Sequence, residues 1–294
     1  MEDRPEFFAE VQDRKRKNIK TMLSRYFSTP LPETEVDIWL KGKCYTTHCD
    51  ELGYFSIWIN TEVDFDAGWH TAAFIIKDDE QQQICRTEGD FLIADNNSDF
   101  GVISDIDDTV LVSHATQIVR KTRLILTKNA KTRLPFEGVA EFYQLLSKNG
   151  SRPLFYVSSS EWNLYDFLVD FFTVRGIPKG PFLLQEFKSG LNDLLFSGGG
   201  SHFHKLQKIR RLMDLFPHMS FILIGDSGQR DLMIYHKALI EFHTRIKAVY
   251  IRKIKKQDAI DLQIQNDFRR YQVPLLLIKN TEEAEVHAKN EGWI

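Results

Sequence analysis

Residues 101–111 read GVISDIDDTVL. An apolar pair, Val102 and Ile103, leads into three aspartates within four positions: Asp105, Asp107 and Asp108. Thr109 follows and apolar residues resume. Like charges at about 4 Å repel by roughly 1–4 kcal/mol per pair, depending on the local dielectric. A chain that ends an apolar strand on such a cluster needs a counter-charge there. The stretch also marks a change of pattern, from short alternating segments before it to strands and helices in alternation after it.

Downstream, GVISDID reads as a strand, GVAEFYQLLSKNG (138–150) as a helix with a glycine stop, and RPLFYVSSS as a strand. NLYDFLVDFFTVRG reads as a helix ending in Gly176, FLLQEF as a strand, and HKLQKIRRLMDLFP as a helix ending before Pro217. SFILIGDSG, RDLMIYHKALIEF, AVYIRK, QDAIDLQIQNDFRRYQ, PLLLIK and EEAEVHAKNEG continue the rhythm. This pattern predicts an α/β fold: a doubly wound parallel sheet with helices on both faces, over 99–294. In such sheets ligands bind beyond the carboxyl ends of the strands.

Upstream, TEVDIWLKGKCYT alternates, and GYFSIWINTEV, TAAFIIKD and QICRTE follow at short spacing, separated by ELG, DAG and DDE. Short strands at this rhythm predict a small antiparallel β-sandwich over 34–98. Residues 1–33 read as an N-terminal helical segment whose charged run, DRKRKNIK, is a solvated face.

Composition bounds the rest. With 43% hydrophobic and 27% charged residues, the 294-residue chain has ordinary globular usage. A net charge of -3 gives no general nucleic-acid binder, and no nucleic-acid partner is expected. The first residues are charged and lack the apolar core of a signal peptide. Apolar runs such as FILI (221–224) are too short to cross a bilayer. Cys44, Cys49 and Cys85 lack CxxC spacing and are odd in number, as expected of reduced thiols. The expected location is cytoplasmic, with peripheral membrane contact as a further expectation.

The strand ends carry the chemistry. Asp105 follows GVIS; Ser158, Ser159 and Ser160 follow LFYV; Asp226 follows FILIG, with Asp231 five residues on; and Lys205 opens the helix before that strand. Clustered carboxylates are tolerable around a hard divalent cation, and magnesium prefers oxygen ligands. A carboxylate nucleophile splits phosphoester hydrolysis through an aspartyl-phosphate, and an alkoxide leaving group needs a second carboxyl as general acid. Lysine and hydroxyl donors offset charge on the equatorial oxygens. Asp105 and Asp107, two apart, lie on one side of an extended backbone, so one can attack while the other protonates the leaving oxygen. An EF-hand reading fails, because Val110 and Thr116 stand where its loop needs glycine and glutamate. The DxD site of a nucleotide-sugar transferase would leave Lys205 and GDSGQRD unexplained.

These motifs resemble haloacid-dehalogenase-like (HAD) phosphatases. DxDxT falls on Asp105, Asp107 and Thr109, the Ser/Thr motif on Ser158, the basic motif on Lys205, and GDxxxxD on Asp226 and Asp231. DIDDTV, LFYVSSSEWNLYDFL, GIPKGP, HKLQKI, FPHMSFILIGDSGQRD and AVYIRK are further similar to the actin-patch phosphatidate phosphatase family, over roughly residues 100–255. The resemblance implies removal of phosphate from phosphatidate, giving diacylglycerol, with Mg2+. It implies Asp105 as nucleophile and Asp107 as acid/base. It further implies Ser158 and Lys205 as catalytic residues and Asp105, Asp107, Asp226 and Asp231 as the metal set; Thr109, Ser159 and His204 are candidate substrate contacts. The sequence departs from the family at Gln229, Arg230 and Leu232, where an acidic residue and a proline are expected, and at Glu161, where proline is common. Other substrates in view are a phosphoprotein, a nucleic-acid end or a small phosphate ester. A non-catalytic metal-binding module is the contrasting reading. Asp108 is either a supporting or a surface residue, and His202 and His204 are either loop residues in solvent or substrate contacts.

Between Thr109 and Phe136 there is no acidic residue, and six basic ones occur: Arg120, Lys121, Arg123, Lys128, Lys131 and Arg133. Such a segment reads either as a solvated flap or as a face for an anionic membrane.

Overall fold

In the computed structural model of the chain, the described residues are Ser24 and 30–78, 80, 82–95, 97–112, 130–186, 203–228, 231–254 and 262–294. Most of the expected N-terminal helix and the core of the basic segment, 113–129, lie outside them. The chain forms two compact units, the smaller made of Ser28–Asp95 with Glu186–Lys188.

The smaller unit is one antiparallel sheet of β1 (Glu35–Leu40), β2 (Lys43–His48), β3 (Gly68–Lys77) and β4 (Gln83–Ile93), in the order β2-β1-β3-β4. Lys41 and Gly42 join β1 to β2 with φ of 43° and 83°. Two positive φ angles in a two-residue loop match the right-handed twist of the strands. GYFSIWINTEV, expected as a strand, has no strand pairing. It keeps the period of two all the same. Ile57, Ile59 and, just beyond, Phe65 pack on the core of Val36, Ile38, Leu40 and Ala72, while Trp58 is 69% exposed. Alternating burial requires only an extended backbone lying on an apolar face. Its apolar side chains lie on the face of the sheet, so this segment covers the sheet instead of extending it. The turn leading into the segment is tied locally: the Asp50 carboxylate accepts from Leu52 N and Tyr54 N at 2.9 Å each. Cys44, Cys49 and Cys85 are free thiols, as expected.

The larger unit runs β5 (Gly101–Ser104), α1 (Val139–Leu146), β6 (Leu154–Glu161), α2 (Tyr165–Arg175), β7 (Phe182–Gln185), α3 (Phe203–Leu215), β8 (Phe221–Asp226), α4 (Asp231–Phe242), β9 (Ile246–Arg252), α5 (Leu262–Arg270), β10 (Leu275–Ile278) and α6 (Thr281–Asn290). All six strands are parallel, in the order β10-β9-β8-β5-β6-β7. Burial alternates along each strand between two helical layers. Ile103, Phe155, Val157, Leu223, Val249 and Ile251 face α3, α4 and α5. On the other face, Tyr143 of α1 stacks 6.5 Å from Tyr156, and Tyr250 bonds His287 of α6 at 2.9 Å. Covered on both sides, the central strand β5 is wholly buried, which is why it reads as an unbroken run rather than an alternation.

Helix ends follow the local signals. α2 stops at Gly176, whose φ of 63° suits the left-handed cap, and α6 starts at Asn280, whose side chain accepts from Glu283 N at 3.1 Å. The functional consequence lies in strand order. From β5 the chain winds outward through β6 and β7, then crosses back to β8 and winds the other way through β9 and β10. The order therefore reverses between β5 and β8, and a crevice opens at their carboxyl ends. Asp105 and Asp226 stand there.

Candidate active site

β5 delivers Asp105 into the crevice, and its backbone N–H continues the ladder by donating to Ile224 O at 2.8 Å. The Asp105 side chain is fully buried. Its Oδ1 accepts from Lys205 Nζ at 2.7 Å, and its Oδ2 is 3.4 Å from Thr109 Oγ1. Lys205, in the first turn of α3, also reaches Asp231 Oδ1 at 2.8 Å, so one ammonium bridges two carboxylates. Asp231, at the start of α4, turns its other oxygen to the backbone N–H of Asp226 at 3.2 Å.

Asp105, Asp226 and Asp231 each place an oxygen within 4.8 Å of the others. Burial pushes the Asp105 carboxyl well above the usual carboxylate range, against the pull of Lys205. Burial also raises Asp226, with Asp231 and Asp105 adding to it. Burial alone would lower Lys205, but Asp105 and Asp231 outweigh it and hold the ammonium protonated. Three buried carboxylates thus face one ammonium, and the raised proton affinity of Asp105 and Asp226 shows that one cation does not balance the charge gathered there. An all-oxygen, acidic donor set of this size suits a hard divalent cation rather than a thiophilic one.

Asp107 stands apart from that group. Its Oδ2 accepts from Ser160 Oγ at 2.6 Å and lies 3.4 Å from Ser158 Oγ. The structure therefore gives the two aspartates of DxD different partners, Asp105 a lysine and Asp107 a pair of hydroxyls. Ser158 and Ser160 share a face of β6 by the period of two. Ser159, between them, is out of phase, and among the described residues its hydroxyl has no hydrogen-bond partner. The sequence places Ser160 at the strand end with Ser158 but gives it no role, although its parity with Ser158 is a signal for one. His204 is half-buried beside Lys205, and His202, Gln229 and Arg230 lie outside the described residues.

Asp108 has a backbone role. Its φ is 56°, and its N–H donates to Leu111 O at 2.7 Å, closing the turn that follows Asp107. Asn and Asp tolerate this region, whereas β-branched residues do not. Asp108→Val is expected to lower stability by about 1–2 kcal/mol relative to Asp108→Asn. Urea unfolding midpoints of the two variants measure the difference, and equal midpoints would show that the turn sets no such constraint.

A family model described as the catalytic domain of phosphatidate phosphatase APP1 matches residues 100–253, just over half of the chain. The chain belongs to that family. It is 27% identical over 190 residues to phosphatidate phosphatase APP1 of Saccharomyces cerevisiae, covering 62% of this chain and 32% of that protein. It is 31% identical over 167 residues to an uncharacterised protein of Schizosaccharomyces pombe, covering 55% of this chain and 26% of that protein. The chain spans about a third or less of the length of these relatives. The APP1-type match runs from just before β5 to just after β9. It therefore holds Asp105, Asp107, Ser158, Ser160, Lys205, Asp226 and Asp231, and leaves the four-stranded sheet outside. Among the described residues, no helix is long and apolar enough to cross a membrane.

One glycine of the APP1-type domain decides how Asp231 sits. A Cβ at Gly225 would lie 2.7 Å from Asp231 Oδ2 and 2.8 Å from both Asp231 Cβ and Tyr235 Cε2. Only a glycine lets Asp231 fold back behind Asp226 and reach Lys205. Gly225→Ala is expected to displace Asp231 and to lower turnover by about 10²-fold, the scale of an ångström's misplacement. Steady-state kinetics alongside a thermal melt would test this; wild-type turnover in a folded variant would refute it.

Proposed function

We propose that the chain is a magnesium-dependent phosphomonoesterase that works through an aspartyl-phosphate on Asp105 and converts phosphatidate to diacylglycerol. The observation that carries this reading is the division of labour within DIDDT. One aspartate is held by Lys205 in the carboxylate group, and the next but one is held by serine hydroxyls. Membership of the APP1-type family supports the substrate.

In this reading Asp105 Oδ2, the oxygen not bonded to Lys205, attacks phosphorus. Lys205 stays protonated between Asp105 and Asp231 and offsets charge that builds on the transferring phosphoryl group. Asp107 gives its proton to the leaving oxygen. It then takes one from the water that cleaves the aspartyl-phosphate. Ser160 and Ser158 orient Asp107 towards that task, and Thr109 steadies Asp105. Magnesium, held by Asp105, Asp226 and Asp231, would neutralise the phosphate oxygens so that an anion can approach them.

A substrate panel tests the proposal. With magnesium, the chain is expected to release inorganic phosphate from dioctanoyl phosphatidate with a higher kcat/KM than from sugar phosphates, nucleotides or phosphopeptides, and a chelator is expected to stop it. A preference for one of the other classes would overturn the substrate. Turnover of none of them, with magnesium present, would favour a non-catalytic metal-binding module.

A further inference from the structure

The basic segment between Thr109 and Phe136 is described at its two ends, 110–112 and 130–135. Its two ends pair beside the crevice: Val112 N donates to Leu134 O at 3.2 Å, and Phe136 N to Val110 O at 3.0 Å. The pairing carries Arg133 inward. Arg133 is only 5% exposed, whereas Lys131, two residues earlier, is exposed. Arg175, the last residue of α2, holds this return in place. Its guanidinium donates to Lys131 O at 2.7 Å and also to Arg133 O.

Arg133 lines a small cavity together with Asp107, Ser160, Leu111, Phe167 and Leu168. Neither Asp105 nor Lys205 lines it. The cavity therefore opens from the hydroxyl-held side of Asp107 and not from the carboxylate group. The Arg133 guanidinium stands over the Phe167 ring, 5.3 Å from its centroid. An arginine keeps its charge at any working pH and offers a fork of donors to oxygen acceptors. The rest of the wall is mostly apolar.

The inference rests on the reading of Asp107 as the group that protonates the leaving oxygen. On that reading the departing alcohol starts at Asp107, which shares the lining of this cavity with Ser160 and Arg133. We propose that Arg133 is a specificity-determining residue for the leaving alcohol. It favours alcohols that carry an acceptor oxygen on the carbon next to the phosphorylated one, as in an acylated glycerol, over bare alkyl alcohols. The cavity has room for about one water-sized group, so Arg133 meets a single oxygen of the alcohol there while the glycerol carbons and acyl chains stay outside. Arg133 is thereby removed from the surface that the basic composition of its segment pointed to.

The test compares dioctanoyl phosphatidate with octyl phosphate, which has the scissile bond and an alkyl chain but no neighbouring oxygen. The readout is the ratio of the two kcat/KM values. In Arg133→Met the ratio is expected to fall by about 10- to 100-fold, the span of one lost hydrogen bond from a charged donor. Arg133→Lys keeps the charge without the fork and is expected to lose about 3- to 10-fold. A ratio within about twofold of wild type in a folded Met variant overturns the inference, whatever happens to the separate rates. If the Met variant does not fold, the Lys variant decides by the same ratio. Wild-type protein that hydrolyses octyl phosphate but not dioctanoyl phosphatidate overturns the substrate reading itself. That outcome appears before any variant is made, so the two failures are distinct.

Discussion

Asp105→Asn is expected to lower phosphomonoester turnover by at least about 10⁴-fold while the protein stays folded. An amide has no anionic oxygen to attack phosphorus, and no acyl phosphate can form on it. The companion measurement is stability in the presence of a chelator. Burial holds the Asp105 carboxyl well above its usual range, so its charged form is disfavoured in the native state. Lys205 keeps its second partner, Asp231, when Asp105 is neutralised. The variant is therefore expected to melt at or above the wild-type temperature, the usual trade of stability for function at a charged site. The substitution removes one of three carboxylates that share a single ammonium, so it also weakens the gain in melting temperature on adding magnesium. Turnover close to wild type would falsify the covalent route. A much lower melting temperature would instead attribute the loss to unfolding.

Asp107→Asn is expected to cut kcat/KM for alkyl phosphates by about 10²- to 10⁴-fold and kcat/KM for 4-nitrophenyl phosphate far less. Alkoxides leave only when protonated, whereas a nitrophenolate leaves unaided, so only the first class needs the acid. The geometry makes the substitution clean. Asparagine keeps an oxygen that can accept from Ser160, which now donates to Asp107 Oδ2 at 2.6 Å. What changes is the transferable proton. Dephosphorylation also loses its base, so rapid mixing with 4-nitrophenyl phosphate is expected to show a burst of nitrophenol followed by slow steady turnover. Equal losses on both substrate classes, with no burst, would sink the acid/base role.

Several features of the site were legible in the residues. Asp105 and Asp226 follow buried apolar runs, and a buried run followed by a carboxylate marks the end of a central parallel strand. The two-residue spacing of Asp105 and Asp107 placed them together. Their separation into different hydrogen-bond partners was not legible, because both Lys205 and Ser160 come from elsewhere in the chain. The sequence alone gives Asp108 no role, because a positive φ leaves little mark beyond a mild preference for Asn, Asp or Gly. GYFSIWINTEV reads as a strand because alternation reports burial on one face and is silent about whether the backbone pairs. Charge composition carries no direction, so it does not separate Arg133 from exposed basic residues; the pairing of Val112 with Leu134 is what turns it inward.

By itself the sequence determined the order of strands and helices, the doubly wound sheet and the ends from which the functional side chains project. Those follow from periodicities of two and 3.6 that any short window displays. Only the tertiary structure decided which charge answers which. Lys205 reaches Asp105 across 100 residues of chain, Ser160 reaches Asp107 across 53, and Gly225 leaves the space that Asp231 fills. The physical reason is range. In a buried site the state of a carboxylate depends on charges and dipoles within a few ångströms, and strand order, not sequence distance, decides which of them arrive there.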